Sequence, residues 1–237
     1  MIHSRQAMFA AAMLTMGMMT TSAGAAQIHV RPVLIELAAP AAAATLTLNN
    51  RGKGLVTAQV RVFRWTQIHG RDRLTPTRDV VASPPLLRMV PGRDNVVRVV
   101  RIAKRPVQGE ESYRLVIDQI PDRSKKRTGV IFAVRYMIPV FFHARGAKDA
   151  QLSWKAVRRG RKIILTAHNE GVRHERVSNL RISFAGKTQV ISNGLAGYVL
   201  GRSSKTWGKR LRLRASGTIT IKGQGIHGPI KAKARLR

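Results

Sequence analysis

The chain is 237 residues long and carries 43 Lys or Arg against 11 Asp or Glu, a formal net charge of +32. Hydrophobic residues nevertheless make up 44% of it, enough to bury a core, which excludes a disordered basic tail. There is no cysteine, so disulfide scaffolds, thiol nucleophiles and zinc sites with Cys ligands are excluded as well.

Residues 1–26 read as a secretory signal. His3 and Arg5 give a basic start, and the apolar run AMFAAAMLTMGMM (7–19) is too short to cross a bilayer. The small-residue stretch TTSAGAAQ follows, with cleavage expected after Ala25 or Ala26. Removing this segment deletes one charge, Arg5, and leaves +31. No later run reaches the roughly 18 apolar residues of a membrane helix, so no membrane insertion is expected. A charge of this size points first to nucleic acid or a membrane surface, but export makes nucleic acid an unexpected partner.

Helical periodicity is nearly absent from the rest of the chain. Apolar and polar residues instead alternate over short runs, the pattern of half-buried strands. Residues 28–37 (IHVRPVLIEL), 44–49, 55–65, 95–102, 112–119 and 130–142 form a first series. Residues 151–157, 162–167, 177–184, 187–191, 211–215 and 217–222 form a second. Breakers at 49–54, Ser83-Pro84-Pro85, Pro91-Gly92 and 169–171 separate them. Many short strands at this spacing predict an all-β chain of two immunoglobulin-like β-sandwiches in tandem. The boundary falls at HARGAKD (143–149), which divides the chain into domains at 27–145 and 146–237. Residues 147–237 hold 21 basic and three acidic residues, so the second domain is the more one-sided in charge.

Few signals of chemistry survive inspection. Gly223, Gly225 and Gly228 (GQGIHG) match a dinucleotide fingerprint in form, but the C-terminus is too close for the helix and acidic partner it requires. His168 and His174 have no further ligand at metal spacing. No nucleophile elbow is present, and carboxylates are too scarce for a paired acid–base site. Trp65, Trp154 and Trp207 lie in or beside strands and read as packing residues rather than a stacking platform. The expectation is no catalytic residue, no cofactor and no metal.

Several landmarks come in a definite order. Val30-Arg31-Pro32-Val33 opens the first domain. Ser83-Pro84-Pro85-Leu86-Leu87-Arg88 is followed by Pro91-Gly92, then Glu111-Ser112-Tyr113-Arg114-Leu115 and Ile120-Pro121, a basic loop, and IPVFF ending at Phe142. In the second domain LTAHNEGVRHERVSNL (165–180) carries an N-x-G-x-x-H opening. Together these resemble the PapD-like periplasmic chaperones of the chaperone–usher pilus pathway over essentially the whole mature chain, with RYMIPVF closer to the archaic branch.

The resemblance implies a periplasmic chaperone, not an enzyme, that binds pilus subunits by strand donation and delivers them to an outer-membrane usher. Its donor residues would be Val130, Phe132, Val134 and Tyr136, apolar at every second position. The opposite face (Ile131, Ala133, Arg135, Met137) would then lie against the chaperone itself. The resemblance also implies a cationic anchor for the C-terminal carboxylate of the bound pilus protein. Arg31 matches the family's Arg, a residue suited to a two-point grip on a carboxylate, whereas Pro139 stands at the family's Lys position. Arg135 and Arg88 are the alternatives for the second contact. Glu110 matches an acidic residue that bridges the domains, with Glu111 beside it leaving the register open, and residues 122–128 read as the loop before the donor strand. The competing expectation is a secreted basic sandwich protein that binds polyanions or acts as an adhesin.

Overall fold

The structure, a computed structural model, describes residues 28–121, 133–210 and 217–237. The expected signal segment, Val130, Phe132, the loop at 122–128 and the expected strand at 211–215 lie outside these residues. The described residues contain 18 strands and no α-helix.

The first ten strands are β1 (Ile28–Arg31), β2 (Ile35–Ala38), β3 (Ala43–Asn50), β4 (Val56–Ile68), β5 (Arg71–Pro76), β6 (Val80–Ser83), β7 (Leu86–Met89), β8 (Asp94–Arg101), β9 (Glu110–Ile120) and β10 (Arg135–His143). They build two facing sheets. One has the order β1-β3-β8-β6, and the other β2-β10-β9-β4-β5 with β7 attached to β4. Period-2 alternation decides what each strand buries. β3 turns Leu46 and Leu48 inward, β8 contributes Val97 and Val99, and β9 contributes Tyr113, Leu115 and Ile117, all fully buried in one cluster.

The run 28–37 reads as a single strand in sequence but is two in the structure. Pro32 has no N–H to continue a ladder. β1 pairs antiparallel with β3 in the first sheet, and β2 pairs parallel with β10 in the second. Residues 32–34 therefore carry the chain from one sheet to the other.

The remaining strands are β11 (Leu152–Arg159), β12 (Lys162–Asn169), β13 (Glu175–Phe184), β14 (Lys187–Val190), β15 (Leu195–Val199), β16 (Ser204–Arg210), β17 (Gly217–Gln224) and β18 (Pro229–Leu236). They run in the order β14-β13-β17-β18-β11-β12-β16, with β15 on β13. A single parallel pairing, Ala156 with Leu236, joins the two halves of this sheet. The sheet folds over so that Ile163 and Leu165 of β12 meet Leu180, Ile219 and Ile221 in one buried cluster. Trp207 Nε1 closes the sandwich by donating to the Ala196 carbonyl at 2.9 Å. Trp154 and Trp207, distant in sequence, stack with ring centroids 5.8 Å apart.

Six strands escape the sequence reading: β5, β6, β7, β15, β16 and β18. β18 is instructive, because its inward residues Ala232 and Ala234 alternate correctly but are small and depleted in strands. Leu86–Met89 follows directly on the expected Pro turn and still pairs with β4.

The sheets of the first sandwich are bracketed by a buried ion pair. Arg101 Nε of β8 lies 2.9 Å from Glu111 Oε2 of β9, and the Tyr113 hydroxyl donates to the same oxygen at 2.8 Å. Burial pushes the Glu111 carboxyl up, but the hydrogen bonds from Arg101 and Tyr113 outweigh it and hold the group below its ordinary 4.5. Burial and the Glu111 contact push the Tyr113 hydroxyl up to about 12. A carboxyl held low in the folded state adds stability above its ordinary pKa and loses it as pH falls through the lowered value. Glu111→Gln should therefore lower stability at neutral pH by about 1–3 kcal/mol. It should also flatten the fall of Tm below pH 4.5. Thermal unfolding across pH checks both, and an unchanged acid limb would remove Glu111 from the account.

Candidate functional site

Adjacent residues on a strand point to opposite faces, so Glu110 and Glu111 cannot serve the same partner. Glu111 turns to Arg101, and Glu110 reaches into the second sandwich. Glu110 Oε1 accepts the His174 backbone N–H at 2.9 Å, and Oε2 lies 2.9 Å from His174 Nδ1. Both side chains are 1% exposed. A carboxylate can only accept, so Nδ1 carries the proton.

Phe141 of β10 stacks flat on the His174 ring, with centroids 3.6 Å apart and planes 8° from parallel. Trp65 packs against Phe141 at 5.8 Å and meets Tyr198 edge-on at 5.6 Å. Leu200, Leu34 and Leu74 complete this cluster.

Polar contacts border it. The Gln67 side chain donates to the Tyr198 carbonyl and accepts from the Leu200 N–H, behaving like one more strand residue. Lys205 pairs with Asp72 at 2.5 Å, and Arg173 pairs with Glu36. Gly109 has φ +77°, and a Cβ there would come within 2.5 Å of Val172 Cγ1, so the close approach requires glycine. Glu36, Glu110 and His174 offer three ligand atoms within 4.8 Å of one another. Both Glu110 oxygens already meet His174 and Glu36 holds Arg173, so the trio works as a structural joint.

This joint covers only part of the outer face of the second sheet. Trp65 and Phe141 lie under the second sandwich, and beyond them the same face continues in cross-strand rows. Phe63, Arg114 and Pro139 form one, Arg61, Val116 and Met137 the next, and Gln59, Asp118 and Arg135 the third. Asp118 sits between Arg61 (2.5 Å) and Arg135. Burial pushes the Asp118 carboxyl up, and its two arginines more than offset this and hold it low. Arg114 is different. Its guanidinium carbon lies 3.6 Å over Trp65 and 5.4 Å from Tyr198, an arrangement that favours a cation. It has no carboxylate partner among the described residues, and burial pushes its pKa down.

The expected site residues are dispersed. Arg31 ends β1, exposed, opposite Thr47. The Tyr136 hydroxyl reaches across the sandwich and donates to Ile28 O at 2.6 Å, and Ile35, four residues after Arg31, pairs with Val140. Arg135 is four residues along β10 from Pro139 and engaged with Asp118. Arg88 on β7 is opposite Thr57, at the far end of β4 from the joint. The cation directly across the ladder from Pro139 is Arg114. Sequence reading quoted it only as part of a landmark, and period-2 counting from Pro139's partner strand could have found it.

On β10, Tyr136 packs against the first sandwich's own core, and Val134, half-buried, shares its parity. The opposite parity was expected to lie against the protein, and the structure corrects this: Arg135 and Met137 face outward, Met137 being 46% exposed. The expected donor parity is the inward one, continuous with Ile138, Val140 and Phe142 of the core.

Residues 27–148 match the family model of the pili and flagellar-assembly chaperone PapD N-terminal domain. The chain belongs to this family of pilus chaperones. Among curated relatives, the uncharacterized fimbrial chaperone YhcA of Escherichia coli K12 is 30% identical over 83 residues, 35% of this chain and 34% of its own length. The probable fimbrial chaperone LpfB of E. coli O157:H7 is 29% identical over 109 residues, 44% of each. The chain thus aligns with less than half the length of these relatives. A structure of the CsuC–CsuE chaperone–tip adhesion subunit pre-assembly complex from archaic Csu pili of Acinetobacter baumannii shares the fold. It gives a TM-score of 0.67 at 23% identity over 90% of this chain and 100% of the other. The structure of the SafA pilin with the SafB chaperone of Salmonella enterica gives 0.61 at 17% identity, over 87% and 95%. The two-sandwich architecture and the family are therefore established together, and the members of this family are chaperones rather than enzymes.

Glu110→Ala should leave two buried His174 donors unpaired and cost about 3 kcal/mol. Denaturant unfolding followed by Trp65 fluorescence is expected to show an earlier loss of the junction signal than of the sheet signal. A loss below about 1 kcal/mol would assign the junction to the aromatic cluster instead.

Proposed function

We propose that the protein is a periplasmic chaperone that binds pilus subunits by lending them β10 and the chain before it, and passes them to an outer-membrane usher. The observation that carries this reading is an open strand edge. β10 pairs with β9 along its whole length, but with β2 only from Val140 to His143. Arg135–Pro139 has no ladder partner on its other side among the described residues.

The hydrogen-bond phase supports the same reading. In an antiparallel ladder alternate residues exchange both bonds with the partner strand. Gln119 N–H donates to Val134 O at 3.0 Å, so even-numbered residues of this stretch bond to β9. Arg135, Met137 and Pro139 then direct their backbone groups to the open edge. A proline is tolerated there because its missing N–H takes nothing from β9. A pilin strand added to this edge gains main-chain bonds, while Val134 continues the core face toward it. Each apolar side chain buried in this way contributes roughly 1.5–3 kcal/mol.

Arg31 and Arg114 are the two cations we assign to the terminal carboxylate of the bound pilin. Arg31 ends β1 just before the crossover to β2, and Arg114 stands across from Pro139 with no carboxylate partner among the described residues. Pro139 in place of lysine is thereby offset from the neighbouring strand.

Phe132→Arg is expected to abolish co-purification with a pilin while leaving circular dichroism unchanged; pilin binding that survives it excludes donation from this segment. Arg31→Ala and Arg114→Ala should each weaken binding of a peptide that ends in the pilin's free carboxylate by roughly tenfold or more. Neither should affect the same peptide with an amidated terminus. Equal losses for acid and amide forms would dismiss the carboxylate anchor while leaving strand donation standing.

A further inference from the structure

After Glu175 the sequence contains no acidic residue, but 14 Lys or Arg, through to Arg237. β13, β17 and β18 come from this stretch and lie side by side. Arg181 is opposite Lys222, and Lys222 opposite Lys231. Lys233 and Arg235 follow on β18 at every second position, opposite Thr220 and Thr218. Directly paired residues of a ladder share a face, so these five cations project from one side of the sheet, and all five are exposed. The inward side of the same strands carries Leu180, Ile182, Ile219, Ile221 and Ala234.

Strand geometry places the backbone positions that carry these cations about 5 Å apart across neighbouring strands and about 7 Å apart along a strand. Those separations are within the Debye length of roughly 8 Å at physiological ionic strength, so salt screens the repulsion only in part. Like charges directly opposite are unfavourable in a sheet. None of the five forms an ion pair or side-chain hydrogen bond among the described residues. Two of the domain's three acids are engaged elsewhere: Asp149 holds Arg173, and Glu175 accepts the Arg176 and Ile226 amides. At the edge strand β14, Arg161, Lys187, Lys209 and Arg210 also line a cavity of about 1020 Å³.

We propose that this face docks the protein onto an anionic phospholipid surface. The chemistry selects the partner. The patch is the flat side of a sheet, with hydroxyls of Ser183, Thr218 and Thr220 between the cations. The large exposed apolar residues of this sandwich, Leu195 and Ile226, sit on β15 and in the β17–β18 loop. The face therefore has no stacking ring for bases and no wedge for insertion, only repeated donors for phosphate headgroups in a plane. Association is peripheral and electrostatic, growing with each Lys or Arg at the surface. It is independent of strand donation, because the open edge of β10 belongs to the other sandwich.

The full chain would be sedimented with phosphatidylcholine vesicles with and without phosphatidylglycerol, at about 0.15 M and at higher salt. Binding should require phosphatidylglycerol and fall as salt rises. Lys222→Gln, Lys231→Gln and Lys233→Gln together should cut the partition coefficient roughly tenfold or more. Removing the same charge from the first sandwich, with Arg51→Gln, Lys53→Gln and Arg93→Gln, should change it less than about twofold. Thr218→Glu with Thr220→Glu keeps every lysine, adds acid to the face and should also release the protein. Equal losses from both triple variants reduce the effect to net charge and overturn the proposal. So does binding indifferent to phosphatidylglycerol. Tighter binding of duplex DNA or a sulfated polysaccharide through the same lysines would also overturn it, by reassigning the face to a soluble polyanion.

Discussion

The buried contact between Glu110 and His174 organises this molecule. A carboxylate removed from water must have its oxygens satisfied, and here one oxygen takes a backbone N–H and the other a ring N–H of a single residue. That double contact fixes both the position and the rotation of the His174 loop against β9. Phe141 then stacks on the imidazole from the neighbouring strand, and Trp65, Tyr198 and Leu200 fill the remaining space. Because β10 carries Phe141 at the joint and an unpaired edge that ends two residues earlier at Pro139, one contact sets the position of the surface proposed to receive a pilin.

The strand-pattern arithmetic made much of this visible in the sequence. Alternation in 44–49, 95–102 and 112–119 marked the strands whose inward residues form the first core. The same alternation separates Glu110 from Glu111, whose roles were left open because sequence cannot say which of two neighbours points inward. What remained hidden depended on pairing between strands. Arg114 gains its significance only from lying across the ladder from Pro139 and over Trp65. Arg135 looked equally available, yet Asp118 on β9 engages it. The outward turn of Met137 and the inward turn of Tyr136 follow from the register of β10 on β9, which no single-strand pattern specifies. The Ala-lined β18 was lost for another reason, since small inward residues give a weak hydrophobic signal.

The acidic residues are distributed with equal economy. Glu36, Asp72 and Glu110 all belong to the first sandwich and all reach partners in the second: Arg173, Lys205 and His174. Each of these three links across the junction thus has its acid on one side and its base on the other. Such an arrangement favours a single docking of the two sandwiches, because sliding one past the other would strand buried or half-buried charges.

That division explains how so basic a sandwich can remain attached and folded. Its three acids, Asp149, Glu170 and Glu175, come early in its sequence, and Asp149 is tied to Arg173, which meets Glu36 of the first sandwich. The cations that need neutralising at the junction are met there by carboxylates borrowed from the first sandwich. Those on the far strands are left without counter-charges on a solvated face, where screening limits the cost of their repulsion. The large positive charge is therefore two populations separated in space. One is consumed in building a rigid corner between the sandwiches, and the other is held out toward whatever anionic surface the molecule meets.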